Sequence, residues 1–121
     1  MLKLYAYSGC STCKNATKWL KAHAIPFEEI AIREAPPSLV ELKAMLDAHS
    51  GDLRRLFNVS GQDYRNLGLK DKLPGMTSDA SIKLLASNGN LVKRPFAIDT
   101  KNKICLVGFK EGEWQAALER L

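Results

Sequence analysis

The chain has 121 residues, of which 45% are hydrophobic and 26% are charged, and its formal net charge is +5. This composition is typical of one globular domain with a hydrophobic core of its own. No apolar run reaches the roughly 18 to 20 residues of a membrane-spanning helix, and the start MLKLYAYSGC is too short and too polar for a signal peptide. We therefore expect a cytoplasmic protein with no membrane segment.

The positive charge is moderate and falls in short groups. Lys14, Lys18 and Lys21 share one predicted helical face, and Arg54-Arg55 is a basic doublet. None of these groups reaches the roughly five to eight basic residues of a nucleic-acid-binding run, so solvated faces are the favoured interpretation. We predict no direct nucleic-acid partner, whereas an anionic small substrate would suit the charge.

The start of the chain predicts a strand, a helix and a second strand. Residues 2–6 (LKLYA) are short and apolar and indicate a strand, and a Ser-Gly pair supplies turn chemistry after it. From residue 11 to about 24, apolar side chains recur at three- and four-residue spacing, which favours a helix. FEEIAI at 27–32 is the second strand. A βαβ unit of this length places its two strands parallel.

The middle of the chain, residues 34 to about 90, has a helical pattern throughout. Apolar positions mark an amphipathic helix over 38–49, with Ser38 as its N-cap and Glu41 as the capping-box partner. Short helical pieces follow, broken by glycines and a proline. A further helix begins after them, with Ser78 as its predicted cap.

Strand patterns return near the end of the chain. RPFAID and KICLV flank TKN, which predicts an antiparallel hairpin with Asn102 at a positive φ. A last helix is predicted at about 110–120, with Trp114, Leu118 and Leu121 on one apolar stripe.

Together these elements predict an α/β fold. Its mixed sheet is built from βαβ and then ββα, and it resembles a thioredoxin-like core with a helical insertion. We expect a single domain over 1–121, with the core formed by 1–33 and 91–121 and the insertion at about 34–90.

A cysteine pair, Cys10 and Cys13, lies at the predicted junction of the first strand and helix. In a cytosolic chain such a pair is more often catalytic or metal-binding than structural, and a disulfide between positions i and i+3 is readily reduced. Unpaired N–H groups of the first helical turn, at Ser11 and Thr12, favour a Cys10 thiolate and could hold an oxyanion beside it. Lys14 would add positive charge, and Cys13, one turn deeper, is suited to resolve a mixed disulfide.

Two other interpretations of the pair stay open at this point, a metal site and two small buried residues. A metal site needs further ligands, and the candidates His23, His49 and Cys105 have no partner at ligand spacing. We therefore predict no metal, helix-terminal roles for both histidines, and a buried inert thiol at Cys105.

Arg94 and Pro95 form the second feature of interest, within KRPF at the start of a predicted strand. An X-Pro bond can be cis, and a proline is also tolerated as the first residue of a strand. The residues alone leave both interpretations open.

Four motifs carry a resemblance to a known family, and they run nearly from end to end: YSGCSTCKNATKWL, YRNLGLKDKLP, LVKRPF and LVGFKEGEW. The chain resembles the arsenate reductase (ArsC) family in its broad sense, closest to the Spx/MgsR-like members and the ArsC-like thiol reductases. The resemblance implies a thioredoxin-like core with a helical insertion and a cis proline facing the cysteines. It implies Cys10 as nucleophile and Arg94 as an oxyanion-binding arginine.

The chain departs from the arsenate reductases proper in three places. Those enzymes carry further anion-binding arginines, where this chain has Asn58 and the tripeptide 107–109. They usually lack a second cysteine, whereas Cys13 is present here, as in Spx/MgsR-like members. We include Asn58 among the expected anion-binding residues.

The leading hypothesis is an ArsC-family thiol–disulfide oxidoreductase with a Cys10/Cys13 redox pair, no bound cofactor and glutathione as a candidate co-substrate. Its expected partners are thiols or disulfides: glutathione, or a glutaredoxin- or thioredoxin-like protein. The alternatives implied by the resemblance are an Spx/MgsR-like redox-sensing transcriptional regulator that binds RNA polymerase, and a true arsenate reductase.

Overall fold

The computed structural model describes residues 1–119. Its four strands form one mixed sheet in the order β2-β1-β3-β4. The strands are β1 (Leu2–Ala6), β2 (Phe27–Ala31), β3 (Phe96–Asp99) and β4 (Ile104–Val107). The helices are α1 (Ser11–Ala22), α2 (Leu39–Ala48), α3 (Gln62–Asn66), α4 (Leu69–Lys72), α5 (Ser78–Ser87) and α6 (Glu111–Leu118).

The strand pairing confirms the predicted α/β class with a mixed sheet. β1 and β2 are parallel, with Leu4 opposite Glu29. β1 and β3 are antiparallel, with Leu4 opposite Ala97, and β3 and β4 form the predicted antiparallel hairpin. Because β1 and β2 run in the same direction, the loops that follow them meet at one edge of the sheet.

The side chains of β1 alternate between two hydrophobic clusters, one on each face of the sheet. Leu2, Leu4 and Ala6 pack with Trp19 of α1 and Trp114 of α6 on one face. On the other face, a cluster joins the sheet to the helical insertion. It contains Tyr5, Phe96 and Ile98 from the strands, and Leu42, Met45 and Leu85 from α2 and α5. The period of two along β1 therefore produces a three-layer arrangement.

The first helix of the insertion is fixed to the sheet by Glu41. As predicted, Ser38 caps α2, and Glu41 completes the capping box. The carboxylate of Glu41 also accepts hydrogen bonds from the Tyr5 hydroxyl at 2.6 Å and from Lys3 Nζ at 3.3 Å. Burial alone would raise the pKa of Glu41, but the bonds from Tyr5, the Ser38 backbone and Lys3 outweigh it and lower that pKa.

Two details of the sequence interpretation are wrong. Thr77, not Ser78, caps α5, because its side chain accepts a hydrogen bond from the Ala80 N–H. In the β3–β4 turn Lys103 has the positive φ, 57°, while the amide of Asn102 bonds to Asp99.

The remaining deviations are at element ends. α1 ends at Ala22, two residues early, because Ala24 takes a left-handed φ of 54° and the Ile25 N–H bonds back to Leu20. The predicted place of Leu121 on α6 lies outside the described residues. No helix within residues 1–119 is both long enough and apolar enough to cross a membrane.

Candidate functional site

The site is centred on the turn between β1 and α1. The chain leaves β1 at Tyr7, whose carbonyl accepts a hydrogen bond from the Cys10 N–H at 3.0 Å. Cys10 then takes extended backbone angles and is the N-cap of α1. Its Sγ accepts a hydrogen bond from the Cys13 N–H at 3.2 Å, in the place of the oxygen of a usual capping side chain. A backbone donor and the positive end of the helix dipole thus act on this sulfur.

Cys13 lies one turn deeper and is buried. It packs with Ala6 and Ala16 in the cluster between the sheet and α1, and only 2% of its surface is exposed. Burial, the hydrogen bond to Cys10 and the charge of Cys10 raise its pKa to about 12. At neutral pH Cys13 is therefore a thiol that holds its proton. Both cysteines are free in this structure.

Arg94 faces the two cysteines from the segment before β3. Its Nη2 donates a hydrogen bond to the Asn90 carbonyl at 2.7 Å, and its Nε donates to the Val92 carbonyl at 3.4 Å. Burial lowers the pKa of this guanidinium, whereas the charges of Cys10 and Cys13 act in the opposite direction. The backbone therefore holds a half-buried positive charge beside both sulfurs.

The peptide bond between Arg94 and Pro95 is cis, as the resemblance implied. The Pro95 carbonyl accepts a hydrogen bond from the Gly108 N–H at 2.9 Å. This bond ties the segment that carries Arg94 to the end of β4.

The sequence interpretation missed Tyr7 and Arg33. The Arg33 guanidinium lies 3.7 Å from the centroid of the Tyr7 ring, and that of Arg94 lies 5.9 Å from it. Repulsion from Arg33 contributes to the lowered pKa of Arg94. The signal was available, because Tyr7 follows β1 and Arg33 follows β2, and the ends of parallel strands meet at one edge of a sheet.

A cleft of about 510 Å³ opens beside the cysteines. Thr12 and Arg94 line the end of the cleft that is near them. Its other walls are formed by the segment around Arg54, by Lys93 and by the turn after β4. The sequence interpretation treated the Arg54-Arg55 doublet as a solvated face and did not connect it to the site.

The remaining predicted site residues are distributed as follows. Ser11 is the exposed first residue of α1. Lys14 lines a different surface depression, with Lys18 and Glu29. The amide of Asn58 packs against Gly61, where its Nδ2 would be 2.6 Å from an added Cβ. Thr12 and Arg94 are thus brought together at the cleft, whereas Lys14 and Asn58 are not placed there.

The other candidate ligands are apart from this site. His23 and His49 are the C-caps of α1 and α2, as predicted. Cys105 lies on β4, half-buried rather than fully buried, and burial raises the pKa of its thiol. Within residues 1–119, no group of three or more histidine, cysteine and acidic side chains is arranged to hold a metal ion.

Comparison with known proteins places this site in a family context. Protein YusI of Bacillus subtilis (strain 168) is 46% identical over 114 residues, which cover 94% of this chain and 95% of that protein. The global transcriptional regulator Spx of Enterococcus faecalis (strain ATCC 700802 / V583) is 33% identical over 121 residues, which cover 99% of this chain and 88% of Spx.

A solved structure shows the same fold. The crystal structure of a protein from Bacteroides fragilis, described as related to the ArsC family, superposes with a TM-score of 0.88 at 40% identity. The match covers 96% of each chain. The model of the ArsC family itself matches residues 5–117. The chain therefore belongs to the ArsC family.

Proposed function

We propose that this protein is a thiol–disulfide oxidoreductase in which Cys10 and Cys13 form the redox pair. The observation that carries the proposal is the position of Cys10 Sγ. It caps α1, accepts the Cys13 N–H and faces the guanidinium of Arg94. All three features stabilise negative charge on this sulfur, and the thiolate is the form of cysteine that attacks a disulfide.

In the first step, Cys10 Sγ attacks one sulfur of a substrate disulfide. The new bond joins Cys10 to that sulfur, and the other substrate sulfur leaves as a thiolate. Arg94 and the N–H groups of the first turn, at Ser11 and Thr12, lie where they would hold a negative group of the substrate beside Cys10.

In the second step, Cys13 attacks Cys10 Sγ and releases the bound half of the substrate as a thiolate. Two of the effects that raise the pKa of Cys13 come from Cys10, namely its hydrogen bond and its charge. Both are lost once Cys10 is bound in a mixed disulfide, so Cys13 gives up its proton more readily at that stage.

The products are a Cys10–Cys13 disulfide and a substrate that has gained two electrons. Two thiol groups, from glutathione or from a glutaredoxin- or thioredoxin-like protein, return the pair to the dithiol and become a disulfide themselves. No bound cofactor enters this cycle.

The mixed disulfide is the intermediate to trap. Cys13→Ser removes the second step, so exposure to glutathione disulfide should leave one glutathione attached to Cys10, as measured by intact and peptide mass spectrometry. Cys105→Ser is the matched control and should form the internal disulfide normally. Attachment to Cys105 instead of Cys10, or none at all, would rule the mechanism out.

A redox-responsive transcriptional regulator is the second candidate. The 33% identity to a protein named global transcriptional regulator Spx favours it, and the same cysteine pair would then be a switch. The resemblance implies RNA polymerase as partner. A pull-down of RNA polymerase should succeed in only one of the oxidised and reduced states, and the absence of binding in both would remove this candidate.

A further inference from the structure

The cleft beside the cysteines is strongly basic. Its cationic residues come from three separate segments of the chain: Arg54, Arg55, Lys93, Arg94 and Lys110. Asp52 is the acidic residue that lines the same cleft. The cleft thus has five positive side chains and one negative side chain, from three positively charged segments and Asp52. The net charge of the chain is only +5, so an even distribution over the surface would not gather so many positive charges in one cleft.

Four of these cations are exposed and available. Arg54, Arg55, Lys93 and Lys110 all lie at the surface. The ion pairs found within residues 1–119 join the N-terminus to Asp99 and Lys3 to Glu41, so no intramolecular pair neutralises the cleft. Their charges therefore act together on whatever enters the cleft.

Apolar side chains lie between the charges. The accessible apolar surface comes from the half-buried side chains of Val59 and Phe109, whereas Phe57 and Val107, which also line the cleft, are buried. A single small anion would engage one or two guanidinium groups and leave this surface uncovered. An occupant that contacts the whole cleft carries several negative charges and enough carbon to cover the apolar part.

We propose that the cleft binds an acidic polypeptide segment and that the substrate is a protein disulfide whose cysteine is flanked by Asp or Glu residues. The inference rests on the proposed thiol–disulfide exchange at Cys10. Thr12 and Arg94 lie at the cysteine end of the cleft, so a segment lying along it brings its disulfide to Cys10. The flanking carboxylates then meet Lys93, Arg54 and Lys110.

Three synthetic peptides test this specificity. They are identical except that the single cysteine is flanked by Glu, Gln or Lys, and each is activated as a mixed disulfide with 2-thiopyridine, an uncharged leaving group. In the Cys13→Ser protein, Cys10 attacks the peptide sulfur, the Cys10–peptide disulfide forms and 2-thiopyridone leaves, and its absorbance gives the rate constant. We expect the Glu peptide to react on the order of ten-fold faster than the Gln peptide at low salt, with the advantage falling as salt rises.

Charge reversal locates the effect. Arg54→Glu with Arg55→Glu, and separately Lys110→Glu, should remove the advantage of the Glu peptide, so that the ratio of the Glu and Gln rate constants falls to about one in each variant. Lys18→Glu with Lys21→Glu is the matched control, because these lysines lie on α1 at a different depression. It changes the net charge as much as the Arg54→Glu with Arg55→Glu variant does, and it should preserve most of the preference for the Glu peptide.

Three results would overturn the inference and leave the oxidoreductase standing. The first is equal rate constants for the Glu and Gln peptides, and the second is a loss of the Glu preference in the control pair as large as in the cleft variants. The third is that the cleft variants slow the reaction of Cys10 with glutathione disulfide as much as they slow its reaction with the Glu peptide. The last would mean that the cleft serves a small anionic disulfide. If none of the peptides reacts with Cys10, the proposed function itself fails, and the acidic-segment inference fails with it.

Discussion

The N–H of Cys13 donates a hydrogen bond to Sγ of Cys10 across 3.2 Å, and this contact separates the roles of the two sulfurs. Cys10 accepts the bond at the half-exposed start of α1, whereas Cys13 is buried behind it. The same short motif therefore contains one accessible sulfur and one protected sulfur.

Alkylation should distinguish the two thiols. Because Cys13 is buried and its pKa is raised to about 12, iodoacetamide at neutral pH should modify Cys10 and leave Cys13 unmodified in the folded protein. Peptide mass spectrometry measures the ratio, and unfolding in urea should make both react. Comparable modification of both thiols in the folded state would contradict the assignment.

Arg94 should assist the reaction of Cys10 and also stabilise the segment before β3 through its hydrogen bonds. Arg94→Lys keeps a positive charge but removes the planar pair of bonds to Asn90 and Val92. We expect the Cys10 reaction to slow by roughly ten-fold, because the flexible ammonium group is no longer fixed beside the sulfur by these two bonds. The rate constant with an uncharged activated disulfide measures this. Lys93→Arg is the control, and a rate unchanged in Arg94→Lys would count against the role.

Glu41 should stabilise the fold most above about pH 4.3, the usual pKa of a glutamate. Its pKa is lowered in the folded state, so its stabilising contribution is present above that pH and is lost as the pH falls through the folded pKa. Glu41→Gln should lower the free energy of unfolding at pH 7 by about 1 to 3 kcal/mol, because charged hydrogen bonds to a buried carboxylate are lost.

Urea unfolding from pH 7 to pH 3 measures this difference, which should shrink in acid. Asp47→Asn, on the exposed face of the same helix, should change stability little. A difference between wild type and Glu41→Gln that stays constant down to pH 3 would disprove the carboxylate account.

His49 should make the protein less stable in mild acid. Burial lowers the pKa of His49, and the charge of Arg55 lowers it further, whereas the charge of Glu113 acts in the opposite direction. Below the unfolded value of about 6.5, the unfolded chain binds the proton first, so stability falls as the pH drops through this value. The free energy of unfolding of His49→Asn should depend less on pH between 7 and 5 than that of wild type. If this free energy has the same slope against pH in both proteins, His49 does not have this role.

Gly89 is expected to be intolerant of a side chain. A Cβ at this position would overlap the carbonyl of Ile32, which follows β2. Gly89→Ala should cost about 3 kcal/mol, because the backbone must move apart. Gly75→Ala is the matched control, since nothing lies within 4 Å of its added Cβ. Thermal unfolding compares them, and equal melting temperatures would show that this contact is unimportant.

The features that depend on residues close together in the sequence could be predicted. The strand at LKLYA, the Ser38–Glu41 capping box and the position of Cys10 at the junction of β1 and α1 are all set within a few positions, and each was predicted correctly. The α5 cap was displaced by one residue because Thr77 and Ser78 can both cap a helix, and only the backbone decides between them.

The distant contacts were harder to predict. Arg33 meets Tyr7 only because β1 and β2 are parallel neighbours. Arg54 and Lys93 come to line one cleft only after the insertion folds against the sheet. Asn58 is expected among the anion-binding residues from family position alone, and its amide packs against Gly61, a local contact that the sequence pattern did not indicate. Composition recorded the excess of positive charge, but it contained no information on where that charge collects.

The most direct test of the central claim is a redox titration of the pair in glutathione buffers, with the Cys10–Cys13 disulfide quantified by mass spectrometry. We predict one reversible two-electron transition, with a midpoint between roughly −270 and −120 mV, the range of known catalytic dithiols. The transition should be absent in Cys10→Ser and unchanged in Cys105→Ser. If no Cys10–Cys13 disulfide forms at any potential in this range, the pair is not the redox centre.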